Sequence, residues 1–301
     1  MLTFRPLSLT DKAKINEAAS AENSRSADYC FGNMFLWDRS YQQLLADSGR
    51  RLVTLCRSHE HPEFLFPIGS GDLAPVIDEM RQYAMLNGFP LVIHGLEERH
   101  AASLDCLFPG RFLFTEDREY ADYIYRADKL ISLNGRHLHG KRNHCNRFEA
   151  EHDWSFRALT KSDFPACMAL LERWAAEEAP GSEPSVTGEH AAILRALEYF
   201  EALDLLGGAL YAEGELVAFA IGEAISSETF DVHFEKARAD INGAYPMINR
   251  EFVRLICGTY PSVCYVNRED DMGLENLRKS KESYCPDILL RKFTARWREE
   301  A

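Results

Sequence analysis

Residues 265–286 read YVNREDDMGLENLRKSKESYCP, and their first third is dense in groups that do chemistry. Asn267-Arg268-Glu269-Asp270-Asp271 directly follows the strand-like run Val263–Val266 and precedes helix signals. The ends of strands in α/β folds are where sites are commonly built. Glu269 or Asp270 can accept a proton or bind an amine, while Arg268 can hold an anion. A structural role is equally open: Asp270 and Asp271 can cap the following helix, and Arg278, Lys279 and Lys281 can complement its C-terminal end.

Two further constellations stand out. In Asp231-Val-His-Phe-Glu-Lys236, strand alternation sends Asp231, His233 and Glu235 to one face and Val232, Phe234 and Lys236 to the other. Cross-strand pairing on a solvated face would explain that pattern without a site. The stretch 134–148, NGRHLHGKRNHCNRF, holds four Lys/Arg and three histidines with no acid. Gly135 to Arg142 approaches the phosphate-loop pattern GxxxxGK[ST], but Arg142 stands where the Mg²⁺-holding hydroxyl belongs. His137, His139, His144 and Cys145 fit no standard zinc spacing, so no metal is expected. On a helix, Arg136, Gly140, Asn143 and Arg147 line one face, with Leu138, Cys145 and Phe148 on the other. That basic face either meets water or binds phosphate or carboxylate.

The wider chain gives these groups an acidic background. It has 301 residues, 46% hydrophobic, with a formal net charge of −13. Such a total argues against a general nucleic-acid coat or a peripheral membrane binder. Residues 129–148 carry five basic residues and no acid, an island between two acidic halves. The eight cysteines form no CxxC pair and the start, MLTFRPLSLTDKAK, has no apolar core segment, so reduced thiols in a cytoplasmic protein are expected. The longest uncharged run, Gln82 to Leu96, is too short and broken to span a bilayer.

The elements that must carry these residues repeat. Phe4-Arg5-Pro6-Leu7-Ser8-Leu9-Thr10-Asp11 is echoed by Phe156-Arg-Ala-Leu-Thr-Lys-Ser-Asp163, half a chain later. Each copy reads as a short strand, then Thr10-Asp11 or Ser162-Asp163 as helix N-cap signals, then a helix. In the second half Phe164, Cys167, Met168, Leu171 and Trp174 keep helical spacing until Ala179-Pro180-Gly181-Ser182 breaks it, and another helix covers about 188–203. A meander follows over 208–212, 216–222 and 229–236. A helix over about 244–257, a strand near 262–266, a helix near 273–282 and a last strand 288–293 complete the half. The first half offers strands at 52–56, 64–66 and 91–94 and helices at 73–86 and 97–107. The basic island reads as a connecting helix.

The strings KRNHCNRF, FEKA, NGAY and NREDDMGLENLRKSKESYCP, in this order, resemble the C-terminal-domain family of phosphatidylglycerol lysyltransferases, in particular its stand-alone soluble bacterial members. The resemblance implies an α+β (mixed α/β) fold of two tandem GNAT-like domains, each a mixed, largely antiparallel sheet flanked by helices, as in the Fem aminoacyltransferases. The expected boundaries are 1–128, a basic connecting helix 129–152, and 153–301. It also implies transfer of an amino acid from aminoacyl-tRNA to an amine or hydroxyl acceptor: a small molecule, a peptide or a lipid headgroup. The membrane part of the phosphatidylglycerol enzymes has no counterpart here, and no integral membrane contact is expected. No cofactor is firmly implied. Acetyl-CoA is poorly supported, because Arg238-Ala-Asp-Ile-Asn-Gly243-Ala244 departs from the [RQ]xxGx[GA] loop that cradles pyrophosphate.

Acyl transfer needs a base, oxyanion donors and cations for a phosphate-rich donor. Glu269 or Asp270 is the candidate base, and Lys236 or Asn267 the oxyanion aid. Arg136, Lys141, Arg142, Asn143, Arg147, Arg268 and Lys279 are the candidate anion binders. No Ser-His-Asp order or nucleophile elbow suggests a covalent serine route. A CoA-dependent N-acetyltransferase and a non-catalytic module binding tRNA or another anion are the alternatives.

Overall fold

The computed structural model describes residues 1–57, 60–178 and 186–298. The expected helix break at Ala179-Pro180-Gly181-Ser182 lies outside them. The chain forms two compact units: 1–122 with 270–274 and 289–301, and 123–269 with 275–288. Each is a mixed sheet with helices.

In the first unit the sheet runs Arg5–Pro6, Leu44–Ser48, Arg51–Cys56, Glu63–Leu65, Val92–Leu96, Phe293–Trp297, Phe112–Glu116, with Ile68–Gly69 paired to Arg51–Cys56 off this path. Glu63–Leu65 and Val92–Leu96 pair in parallel. Phe293–Trp297 pairs antiparallel with both of its neighbours, Val92–Leu96 and Phe112–Glu116. This last strand comes from the end of the chain. The sequence reads one strand over 288–293, whereas the structure separates Ile288–Leu290 from Phe293–Trp297.

In the second unit the order is Trp154–Ala158, Leu206–Ala212, Glu215–Ala224, Thr229–Ala237, Tyr265–Asn267, and then the strand Asp122–Arg126, whose residues 123–126 belong to this unit. The parallel pair is Thr229–Ala237 with Tyr265–Asn267. The helix Ala244–Thr259 lies across the sheet and buries Met247, Ile248, Phe252, Val253 and Ile256 in its core. The succession strand, helices, three-strand meander, helix, strand, helix, strand is therefore present in both halves of the sequence. No helix among the described residues is long and apolar enough to cross a membrane.

The sequence echo is a structural one. Arg5 Nη1 donates to Asp11 Oδ2 at 2.8 Å, and the Ser8 N–H donates to the same oxygen at 2.9 Å. Arg157 Nη1 donates to Asp163 Oδ2 at 2.7 Å, and the Thr160 N–H does so at 2.8 Å. Ser8 and Thr160 are the N-caps, each closing a capping box with the aspartate three residues on. Thr10-Asp11 and Ser162-Asp163 thus lie in a short turn capped by Ser8 or Thr160, and Asp11 is itself the N-cap of the helix Lys12–Glu22.

The basic island is two helices, not one. Ala127–Ser132 ends at Leu133, whose φ of 47° is left-handed. His139–Glu151 follows, burying Leu138, Cys145 and Phe148 as its apolar spacing requires. Arg136 precedes this helix, so the basic face starts only at Gly140.

Candidate functional site

The second unit's parallel pair organises a polar cluster. Thr229–Ala237 lies in register with Tyr265–Asn267 so that Asp231 stands beside Asn267. On its other side a register shift at Ile221/Gly222 brings Glu223 opposite Asp231. Gly222 is required there, since a Cβ would meet the Asp231 carbonyl oxygen at 2.0 Å. The face expected to be solvated is buried: Asp231 and the His233 side chain have no exposure. Nor is it one face, because His233 is the extra residue of the register shift, so Asp231 opposes Glu223 on one side of the sheet and Glu235 opposes Ala220 on the other.

His233 joins three acids. Nε2 lies 3.1 Å from Glu223 Oε1, and Nδ1 lies 3.0 Å from Glu269 Oε1 and 3.3 Å from Asp231 Oδ2. Burial opposes charge on this imidazole, but the hydrogen bonds to Glu223 and Glu269 and the Asp231 charge outweigh it and hold its pKa well above the usual histidine value. Asp231, His233 and Glu269 also bring three potential metal-ligand atoms within 4.8 Å of one another. A protonated His233 donating from both nitrogens is a poor ligand.

Glu269 is fixed by its backbone. It adopts φ +56°, rare for a residue with a side chain, and its N–H donates to Asn267 Oδ1 at 2.7 Å. The turn follows directly from the strand end, and its carboxylate keeps 20% exposure. Non-glycine residues held there are commonly functional.

One residue earlier, Arg268 turns into the unit. Its Nη2 donates to Glu235 Oε1 at 3.0 Å, and Glu235 Oε2 accepts from Asn249 Nδ2 at 3.0 Å. Its Nη1 is buried without a hydrogen-bond partner among the described residues. The guanidinium lies 4.9 Å from the Tyr284 ring centroid, and Lys141 Nζ lies 4.3 Å from that same centroid. Burial first, and then the Arg268 charge, push the Lys141 pKa down. Lys281 Nζ donates to the Arg268 carbonyl at 2.5 Å, and the Tyr125 hydroxyl donates to the Lys281 carbonyl at 2.7 Å. Arg268 is thereby clamped from both ends.

Of the candidates from sequence, Glu269 and Asn267 join the His233 cluster, while Arg268 and Lys141 meet at the Tyr284 ring. Lys236 joins neither group: its Nζ pairs with Glu189 Oε2 at 2.7 Å and lies 3.7 Å from the Trp174 ring. Asp270 falls in the first unit and accepts from the Met272 N–H at 2.9 Å, a local turn contact. Arg142 Nη1 donates to the Leu133 carbonyl at 2.9 Å, closing the end of the preceding helix. Arg147 and Lys279 are in exposed pairs one helical turn long, with Glu151 and Glu275. Asn143 is exposed beside His139, and Arg136 is exposed. Sequence reasoning leaves out Glu223, Asn249 and Tyr284. Tyr284 and Lys281 lie inside the most distinctive string, whereas nothing local marks Glu223 or Asn249.

The loop that would cradle a pyrophosphate is closed by packing. Gly243, φ +89°, precedes the helix Ala244–Thr259, and a Cβ there would meet the His144 carbonyl oxygen at 2.5 Å. His144 Nδ1 also lies 2.8 Å from Asn242 Oδ1. The helix His139–Glu151 therefore rests on this loop.

Comparison with known proteins follows the same lines. The family model described as "Phosphatidylglycerol lysyltransferase, C-terminal" matches residues 21–296. A crystal structure of a conserved protein of unknown function from Bacteroides thetaiotaomicron VPI-5482 is 36% identical, with TM-score 0.92, over 99% of this chain and all of that one. L-PGS from Bacillus licheniformis shares 16% identity with TM-score 0.62, covering 89% of this chain and 86% of that one. The C-terminal domain of a putative lysylphosphatidylglycerol synthetase from Agrobacterium fabrum shares 13% with TM-score 0.64, over 97% and 93%. At these low identities the last two show the fold. An uncharacterized protein of Mycoplasmoides gallisepticum is 22% identical over 175 residues, 57% of this chain, and the match spans about half (54%) of that protein's length.

Proposed function

The chain belongs to the phosphatidylglycerol lysyltransferase C-terminal-domain family, and on that premise we propose that it is an aminoacyltransferase. It moves an amino acid from the ester of an aminoacyl-tRNA to an amine or hydroxyl acceptor: a small molecule, a peptide or a lipid headgroup. We place it in the cytoplasm, where charged tRNA is made. The observation that carries this reading is the Arg268 geometry: a buried guanidinium, one nitrogen on Glu235 and another unsatisfied, sharing the Tyr284 ring with Lys141.

In this account Arg268 Nη1 and Lys141 Nζ supply the positive charge met by the donor's carbonyl oxygen or phosphates. Glu269, partly exposed and held by His233, takes the proton of the attacking amine or hydroxyl. A bond forms from that nucleophile to the ester carbonyl carbon, the carbon–oxygen bond to the terminal ribose breaks, and the departing oxygen takes up a proton. Asn267 positions Glu269 through the hydrogen bond to its N–H. Arg136, Arg142, Arg147 and Lys279 as cations, and Asn143 as a neutral hydrogen-bond donor, would meet the tRNA backbone from outside. Asp270 and Lys236 are assigned no step.

A CoA-dependent acetyltransferase fits less well, because Gly243 serves the contact with His144. Thermal-shift measurement separates the two. Stabilisation by a non-hydrolysable aminoacyl-adenosine amide, and none by acetyl-CoA, is expected. Stabilisation by acetyl-CoA alone would overturn the reading.

A further inference from the structure

The first unit holds a cleft of about 850 Å³ lined by Arg81, Met85, Phe89, Phe108, Arg111 and Trp297, with Asp78 its one acid. That volume is in the range that takes a small organic ligand. The Trp297 ring is held by aromatic contacts with Phe108 at 5.7 Å and Phe112 at 5.0 Å, and the Trp297 backbone N–H donates to the Leu91 carbonyl at 3.0 Å. Met85 and Leu107 at the cleft are 67% and 43% exposed, an apolar lining turned towards solvent.

Arg81 gives this apolar cleft a sign. Its guanidinium lies 5.2 Å from the Trp297 ring centroid, and its Nε is buried with no hydrogen-bond partner among the described residues. Buried donors are nearly always satisfied, so one left open beside a cleft marks a place for an acceptor. The cation–π contact holds the guanidinium beside the indole at the cleft, and a guanidinium is suited to a carboxylate or phosphate. Arg111 adds a second positive charge to the lining.

We propose that this cleft binds an amphipathic anion, its carboxylate or phosphate head on Arg81 and its apolar body along Trp297, Phe89, Phe108 and Met85. The site lies wholly within the first unit and uses none of the residues assigned to acyl transfer.

Isothermal titration calorimetry of the full chain with decanoate and with decyl phosphate tests it. Saturable one-site binding of at least one is expected, with decanol and inorganic phosphate each at least about tenfold weaker, since each lacks half of the ligand. Arg81→Gln should weaken binding by about tenfold or more, the usual worth of a charge-assisted hydrogen bond. Met85→Glu, at an exposed position, should weaken it comparably by setting a charge against the apolar body and by pairing with Arg81 one helical turn away. No binding of either amphiphile to the wild-type chain overturns the proposal. So does binding unchanged by Met85→Glu and by Arg81→Gln. The tighter of the two amphiphiles identifies the head group.

Discussion

Arg268 and Glu235 form an ion pair in which both side chains are about nine-tenths buried, Nη2 to Oε1 at 3.0 Å. Breaking one partner of a buried pair leaves an uncompensated charge and costs about 3–5 kcal/mol, while replacing both by apolar groups is often close to neutral. Arg268→Met alone should therefore lower urea stability by about 3 kcal/mol, and Arg268→Met with Glu235→Leu should recover most of it. Transfer activity should be lost in both. Recovered activity in the double variant would mean that the pair serves the fold alone.

Lys141 and Arg268 share one ring, whereas Arg147 and Lys279 lie in exposed pairs. Lys141→Met should cut the transfer rate by about 10²-fold, the order found on removing one group that stabilises developing charge. Arg147→Ala and Lys279→Ala, assigned only to the tRNA backbone, should each weaken tRNA binding, more so at low salt, and change the rate at saturating tRNA less than about threefold. Equal losses in all three would spread the role over the whole basic surface.

His233 links stability to pH. Its folded pKa is raised, because the hydrogen bonds to Glu223 and Glu269 overcome the burial that opposes its charge. A raised pKa contributes its full stabilisation below the unfolded value of about 6.5 and loses it as pH rises through the folded value. The stability gap between the wild-type chain and His233→Gln should be widest near pH 6 and narrow towards alkaline pH. Urea titrations at three pH values read this directly, and a gap that grows with pH would contradict it.

The two capping boxes are built alike, with matching bonds around Asp11 and Asp163. Ser8→Ala and Thr160→Ala should each cost about 1 kcal/mol. The two losses should add in the double variant, since the boxes share no partner. Thermal unfolding with both single variants and the double checks it.

Gly243 is held at φ +89° against the His144 carbonyl. Gly243→Ala meets both a left-handed backbone and a contact at 2.5 Å, so a loss above about 1 kcal/mol is expected. A glycine kept for ligand contact alone would tolerate alanine without such a loss.

Much of the second half is legible from local pattern. The meander, the helix Ala244–Thr259 and the helix Glu275–Glu282 carry turn signals and apolar spacing of their own. Strands Phe112–Glu116 and Asp122–Arg126 are not, because their pairing is decided by partners far along the chain. The same holds for the site. Alternation predicts one face for Asp231, His233 and Glu235, but the extra residue at His233 separates them: Asp231 and His233 meet Glu223, while Glu235 turns to the other face and meets Asn249 of the helix Ala244–Thr259. The Glu223 position further depends on a bulge, which shifts register without leaving a mark in apolar spacing. The density of charge in 267–271 draws attention to Arg268 and Glu269 together with Asp270, although Asp270 is occupied by its own turn.

The most direct test is incubation of the full chain with a mixture of charged tRNAs and a cell-extract acceptor fraction, following each aminoacyl ester over time. The account predicts accelerated loss of one ester, with the label appearing on an acceptor, and its abolition by Arg268→Met and by Glu269→Gln. No ester consumed above background, or consumption unaffected by both substitutions, would contradict it.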